Sequence, residues 1–293
     1  MDPTPSHGRL YCLPIELLEM IVSFIPENAS LKALSRVTKL FRQLCAPKLF
    51  QSLQVGFSIP KLDRLLEVSN SQLARYVKVI HYEAPALVDP QQQEILQADR
   101  DTRALVTSLP CFPNLHTLRL SFVDGIEDQF KWLANRILLD GHSMFPNHLE
   151  RLLTAVAVAR GREVIIRSFE ICGFHSRAAA EDQFLQELAM EALQNVEELR
   201  LVDSPALLPF LNRVSFPRLG RVEIASCWLS VPPMEEFIQL HADSLRFLHL
   251  RNTWVLVEEL NNEGIHLSVG SPKTVLNHLA SLLSTGSIML TMD

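Results

Sequence analysis

Leu219-Gly220-Arg221-Val222-Glu223-Ile224-Ala225-Ser226-Cys227 carries the pattern that decides the fold. Leu219, Val222 and Ile224 are apolar, and charged residues stand between them. Alternate side chains of a short strand therefore enter a core while the others face water. The spacing recurs at Leu115-x-x-Leu118-x-Leu120, Ile166-x-x-Phe169-x-Ile171, Val196-x-x-Leu199-x-Leu201 and Leu245-x-x-Leu248-x-Leu250. A weaker copy is Ala74-x-x-Val77-x-Val79, and Ser287 to Thr291 reads as a last strand. Helical patterns lie between: Ile126 to Leu139, Leu149 to Ala159, Ala178 to Leu193, Pro205 to Leu211, Pro232 to Leu240 and Pro272 to Leu283. Strands alternating with helices predict a parallel sheet with right-handed crossovers and the helices outside. Only the later copies approach an even period, so the front half carries insertions or a lost repeat. An unrelated α/β domain would show the same alternation.

The copies resemble the strand element of leucine-rich repeats, where Cys227 takes the slot of the Asn/Cys consensus position. The resemblance implies an irregular solenoid over residues 73–293, with parallel strands, outer helices and a concave face that binds a protein client. By alternation that face carries Lys78, Arg119, Glu170, Arg200, Glu223 and His249. Thr117, Ser168, Glu198, Arg221, Phe247 and Arg251 stand beside them. Lys78, Arg119, Arg200, Arg221, His249 and Arg251 are the candidate client contacts. The arginines would pair with acidic or phosphorylated residues. A solvated strand face with no ligand is the plainer reading of the same set.

The first fifty residues differ. Leu13-Pro14-Ile15-Glu16-Leu17-Leu18-Glu19-Met20-Ile21-Val22-Ser23-Phe24-Ile25 predicts a helix opened by Pro14 and closed by Pro26. Its polar residues Glu16, Glu19 and Ser23 form one narrow stripe, so apolar surface covers most of the circumference, where a surface helix needs an arc of about 100°. A second helix is expected from Ser30, with Leu34, Val37, Phe41 and Leu44 as its stripe, and a short third piece follows Pro47. The basic residues from Lys32 to Lys48 read as the wet side of a helix. A small module with this much apolar surface is marginal alone, and the excess marks a partner interface or a face packed on the downstream domain.

Leu13-Pro14-Ile15-Glu16-Leu17-Leu18, then Ile21, Phe24, Ile25, Leu31, Leu34, Ser35, Val37, Phe41, Leu44 and Leu49-Phe50, resemble the F-box. Phe50 stands where that family often has Trp. The resemblance implies three short helices that dock on a Skp-type adaptor, and through it on a cullin–RING ubiquitin ligase. It also implies adaptor contacts at Leu13, Pro14, Leu17, Leu18, Ile21, Leu34, Val37 and Phe41. The expected architecture is mixed α and α/β: a disordered start over 1–9, a three-helix F-box over 10–55, a connecting helix or linker over 56–72, and the repeat domain over 73–293. The expected function is a client-recruiting ligase subunit. An F-box scaffold outside ubiquitination and an enzyme on an α/β fold are the alternatives.

Composition bounds the rest. The chain has 293 residues, 47% hydrophobic and 20% charged, which suits a folded chain. A net charge of −6 without a basic stripe argues against nucleic acid. Five scattered cysteines, none in a C-x-x-C pair, argue against a disulfide framework or zinc finger. Met1 to Arg9 has no apolar stretch of signal-peptide length, and no run would span a bilayer. The cytosol or nucleus is therefore expected. No nucleophile elbow, Walker loop or G-x-G-x-x-G occurs. His148-Leu149-Glu150 lacks the P-C-x-x-C partner that zinc deaminases need. Cys172 and Cys227 read as core thiols. No catalytic residue, metal site or cofactor is expected.

Overall fold

The computed structural model describes residues 13–86, 90–123, 144–176, 178–261, 264–269 and 289–292. The helices expected over 126–139 and 272–283 lie outside them.

Three helices open the chain: α1 (Ile15–Ser23), α2 (Asn28–Ser35) and α3 (Lys39–Leu49). Pro14 occupies the N-cap of α1, where its missing N–H costs nothing. Sequence patterning predicts one helix running from Ser30 past Phe41, but the chain breaks between α2 and α3. The reason is local. Thr38 Oγ1 accepts the Phe41 N–H at 3.2 Å, and a hydroxyl that caps a new helix competes with continuing the old one. Ser30 does not cap either; α2 starts at Asn28, with Glu27 at its N-cap.

Val22, Leu31 and Cys45 form a small core of their own, closed by Ile25, Leu34, Leu44 and Leu49. Lys48 Nζ donates to the carbonyls of Ser23 at 2.8 Å and Ile25 at 2.6 Å, satisfying the end of α1 from α3. Lys48→Met should cost this corner about 1–2 kcal/mol. Hydrogen exchange checks it: α1 amides should exchange about tenfold faster, with the sheet unchanged.

Only Phe50 and Gln51 separate α3 from the first strand, β1 (Ser52–Gly56). The sheet thus begins at Ser52, inside the stretch expected to close the opening module. Residues 56–72, expected as a connecting helix or linker, contain α4 (Ile59–Ser69), which packs on β1. There follow β2 (Val79–Pro85), α5 (Pro90–Gln97), α6 (Arg100–Ser108), β3 (Thr117–Val123), α7 (Phe145–Arg160), β4 (Ser168–Cys172), α8 (Gln183–Leu193), β5 (Glu198–Val202), α9 (Leu208–Leu211), β6 (Arg221–Ala225), β7 (Trp228–Ser230), α10 (Val231–Leu240), β8 (Phe247–Arg251), β9 (Trp254–Asn261), β10 (Gly264–Val269) and β11 (Met289–Met292).

The molecule is mixed α/β. Among the described residues, eight strands form one sheet in the order β1-β2-β3-β4-β5-β6-β8-β11, every neighbouring pair parallel. β7, β9 and β10 form a second, three-stranded sheet beside it. Parallel sheets are usually covered on both faces and read as continuous apolar runs. Here β4 alternates intermediate and buried residues, and β3, β5 and β8 alternate similarly. One face is therefore covered by helices and the other is open. Beneath the covered face one core extends from Val55 to Leu250.

The weak first copy is misplaced in the sequence reading. Ile80 pairs with Leu118 and Tyr82 with Leu120, so the working element is Val77-x-x-Ile80-x-Tyr82, three residues later than Ala74-x-x-Val77-x-Val79. Ala74 lies in a short 3-10 helix instead.

A second feature repeats along the parallel sheet. Gly173, Asp203, Ser226 and Asn252 follow β4, β5, β6 and β8, at φ of 75°, 50°, 54° and 47°. A left-handed residue other than glycine is disfavoured by about 1–2 kcal/mol. The first three of these corners turn their N–H onto the next strand: Gly173 to Val202, Asp203 to Ala225 and Ser226 to Arg251, all at 2.9 Å. The residues after the last three corners, Ser204, Cys227 and Thr253, are buried and hydrogen-bonded to backbone. Cys227 accepts from the Ser204 N–H and donates to the Ala225 carbonyl, so its thiol joins two neighbouring corners.

Candidate functional site

Two surfaces stand out: the outward side of α1 and the open face of the parallel sheet.

On α1, Leu18 and Val22 are buried, one turn apart on one side of the helix. On the other side Leu17, Met20, Ile21 and Phe24 are exposed by 43%, 54%, 40% and 77%. This helix has two apolar faces and its own module covers one. Of the eight predicted adaptor contacts, Pro14, Leu17, Ile21 and Val37 are exposed and Leu13 is half-exposed. Leu18 and Phe41 belong to the interior, and Leu34 is half-buried against the small core. The resemblance put all of them on one docking surface, and on α1 the apolar pattern could not correct it, because a helix that is apolar all round gives no sign of which side faces in. Met20 and Phe24 belong to the outward face and were missing from the predicted contacts.

On the sheet, register aligns Gln54, His81, Arg119, Glu170, Arg200, Glu223, His249 and Thr291 in one row across the open face. Neighbouring strands are about 4.8 Å apart, so charges in this row meet. Glu170 Oε2 lies 3.1 Å from Arg119 Nε and 3.8 Å from a terminal nitrogen of Arg200. Glu223 Oε1 lies 3.3 Å from Arg200 Nε and 3.7 Å from a terminal nitrogen of Arg251. Three of the four arginines expected to wait for an acidic client, Arg119, Arg200 and Arg251, are already paired within the sheet. These partly exposed pairs are each worth about 1 kcal/mol or less. Their effect is to fix the direction of each guanidinium. Arg221 is engaged differently, its guanidinium 5.3 Å from the centroid of the Phe247 ring.

Lys78 does not join the row. It precedes β2, its carbonyl accepts the N–H groups of His116 and Thr117, and its place is taken by His81. His81 Nε2 lies 2.8 Å from Ser121 Oγ. Cys172 is also misplaced by the sequence reading: it ends β4 on the open side and is only half-buried. Cys227 is a core thiol, and burial pushes it up to about 12, which leaves it protonated and inert at neutral pH.

The open face gains apolar residues toward its end. Phe247 is 43% exposed, and its register neighbour Met289 is 59% exposed. Trp254, also exposed, stacks on Trp228 with ring centroids 5.0 Å apart and planes 18° from parallel. No apolar periodicity singles out either tryptophan in the sequence. The available signal was positional: Cys227-Trp228 and Thr253-Trp254 follow equivalent corners of successive turns, and β7 pairs with β9 in that register.

The sequence matches no protein-family model and no curated protein. Among the described residues, no cluster of three His, Cys, Asp or Glu side chains could hold a metal, and no helix is long and apolar enough to cross a membrane.

One polar cluster lies inside the covered face. Tyr82 Oη donates to Asp101 Oδ2 at 3.3 Å and lies 3.4 Å from His148 Nδ1. Arg151 clamps Asp101 and reaches Asp99 at 3.2 Å. His148 Nδ1 is 3.8 Å from Asp101, a distance that would make an ion pair only with a protonated ring. Burial first, and the Arg151 charge second, lower the imidazole from 6.5 to about 3. It is neutral, and its Nε2 has no hydrogen-bond partner among the described residues. Buried rings surround it, Phe57 at 4.9 Å and Tyr82 at 6.1 Å between centroids, and this cluster is part of the core.

A pH dependence follows. Below pH 6.5 the unfolded chain protonates this imidazole and the folded chain does not. Stability is therefore complete above 6.5 and falls as pH drops toward 3. The loss is about 1.4 kcal/mol per unit, or about 2 kcal/mol by pH 5. His148→Leu should remove that share of the slope while Tyr82 keeps its bond to Asp101. His241, also lowered by burial, adds the same sign to both proteins. Urea titrations at pH 7 and pH 5 compare them; equal losses in the two proteins would contradict the assignment.

Proposed function

We propose that this chain is a client-recruiting adaptor of a cullin–RING ubiquitin ligase. On this reading α1–α3 form an F-box docked on a Skp-type adaptor, and the sheet is an irregular leucine-rich-repeat solenoid that holds a protein client. The observation that carries the reading is the second apolar face of α1. Leu17, Met20, Ile21 and Phe24 present it on a module whose own core is already filled by Val22, Leu31 and Cys45. Exposed apolar surface of this kind marks a protein interface. The F-box resemblance supplies the partner class.

The client surface is the open sheet face. Arg221, Phe247 and Met289 stand in one row of neighbouring strands there. Arginine and large apolar anchors are the residue types that dominate interface energies. The glutamate-held Arg119, Arg200 and Arg251 offer guanidinium edges already oriented, which lowers the entropy lost on binding. The chain's contribution is then positional. Holding a client on one surface and the ligase on another raises the effective concentration of client lysines near the ubiquitin carrier. Such an adaptor works in the cytosol or nucleus.

Calorimetric titration of the full chain with a purified Skp-type adaptor tests the proposal. Saturable binding supports it. A folded chain that binds no such adaptor overturns it, and a chain that binds the adaptor yet promotes no client ubiquitination in a reconstituted ligase is a scaffold instead.

A further inference from the structure

A groove of about 840 Å³ lies between the helical module and the first turn of the sheet. One wall is α2 and α3, the other β1 and α4. Lys32, Arg36 and Arg42 come from the first wall, and Lys61 and Arg64 from the second. Among the described residues, no acidic side chain lines it. Among the described residues, Lys61 alone of the five has an acidic partner, Glu83 at 3.7 Å. The floor between the walls is apolar and includes Leu49, Phe50, Leu53 and Leu65.

This concentration of cations runs against the chain's net charge of −6. Like charges facing one another across a groove raise its potential and repel, so their arrangement favours an anionic occupant. The apolar floor asks for something more than charge. We infer that the groove is the docking site of an acidic peptide segment carrying apolar anchor side chains.

The distribution of charge decides the class of ligand. A free phosphate is held where several donors converge, as at a helix N-terminus. Here the cations are spread over three helices on two walls, and the space between them is apolar. Nucleic acid would need a basic track for its phosphates and stacking platforms for its bases. Among the described residues, Phe50 is the only aromatic one lining the groove. An extended or helical peptide fits both features: apolar side chains enter the floor, and glutamates or aspartates meet the rims. The inference is independent of the function proposed above, since Leu17, Met20, Ile21 and Phe24 do not line this groove.

The test is a selection with the full chain. A random linear peptide library displayed on phage is panned on the wild type and depleted on Arg36→Glu/Arg42→Glu/Arg64→Glu. All three residues are exposed, and circular dichroism with thermal melting verifies the fold. Arg36→Gln/Arg42→Gln/Arg64→Gln replaces the reversed variant if that one is destabilised. Selected peptides should combine acidic and apolar residues. By fluorescence anisotropy they should bind the wild type saturably and the triple variant at least ~10-fold more weakly. Raised salt should weaken binding too. Three outcomes overturn the inference: no peptide that discriminates the two proteins, discriminating peptides without acidic residues, or polyglutamate binding as tightly as the selected peptides.

Discussion

Arg151→Met destabilises the protein by about 3–5 kcal/mol at neutral pH, because it strands a buried carboxylate. Asp101 is fully buried on α6 and receives Arg151 from α7 and the Tyr82 hydroxyl from β2. Burial raises the Asp101 carboxyl, and Arg151 is the main influence that holds it down. Without the guanidinium, one tyrosine hydroxyl and the Thr102 backbone N–H remain. The carboxyl then rises further and is protonated nearer neutral pH. The sign of the pH effect follows. A carboxyl whose folded value lies above its unfolded value stabilises the fold at low pH and loses that contribution as pH rises through the folded value. The deficit of Arg151→Met relative to wild type should therefore shrink between pH 7 and pH 5. Adding Asp101→Asn should recover much of it at pH 7. Denaturant titrations of the three proteins read this directly, and a deficit under about 1 kcal/mol at pH 7 would show that the pair is not acting as a buried ion pair.

Leu17→Glu combined with Ile21→Glu should weaken capture of a Skp-type adaptor by at least ~100-fold, or about 3 kcal/mol, while leaving the melting temperature within a few degrees. Both side chains are exposed, so the charges meet water in the free protein and an apolar partner only in the complex. Leu18→Glu is the contrasting change. Leu18 is 2% exposed, and a charge there should loosen the module itself. The pair of experiments separates an interface from a core on one helix. Calorimetry measures the first, and hydrogen exchange over residues 15–49 the second. Adaptor binding that survives the double substitution would remove α1 as the docking face.

Legibility varied along the chain for physical reasons. The later strands were readable because Leu199, Leu201, Val222, Ile224, Leu248 and Leu250 are aliphatic, evenly placed and separated by the polar residues Arg200, Glu223 and His249. β2 was displaced because Tyr82 fills an aliphatic slot while Ala74, Val77 and Val79 imitate the pattern nearby. β1 was missed because its outer residues are exposed and only Val55 and Gly56 are buried. The break before α3 depended on one hydroxyl, Thr38, which no apolar periodicity reports. For the open face, alternation located Arg119, Arg200 and His249 in the row. It could not say that Glu170 and Glu223 already hold the arginines, because that pairing is between strands. The buried Tyr82–Asp101–Arg151 cluster joins three elements and has no local signature at all.

The junction between α3 and β1 fixes how force and distance pass through this molecule. Phe50 and Gln51 leave no slack, and Lys48 ties the end of α1 to the helix that runs into the sheet. On the proposed function, the grip at one end and the cargo at the other belong to a single lever. A jointed arm would sweep its cargo through many orientations and sample most of its lysines. A stiff one presents the same flank every time. The lysine that becomes modified would then be chosen by the cargo's own shape and by the angle of this joint, and inserting a few flexible residues at Phe50–Gln51 would blur that choice without weakening either grip.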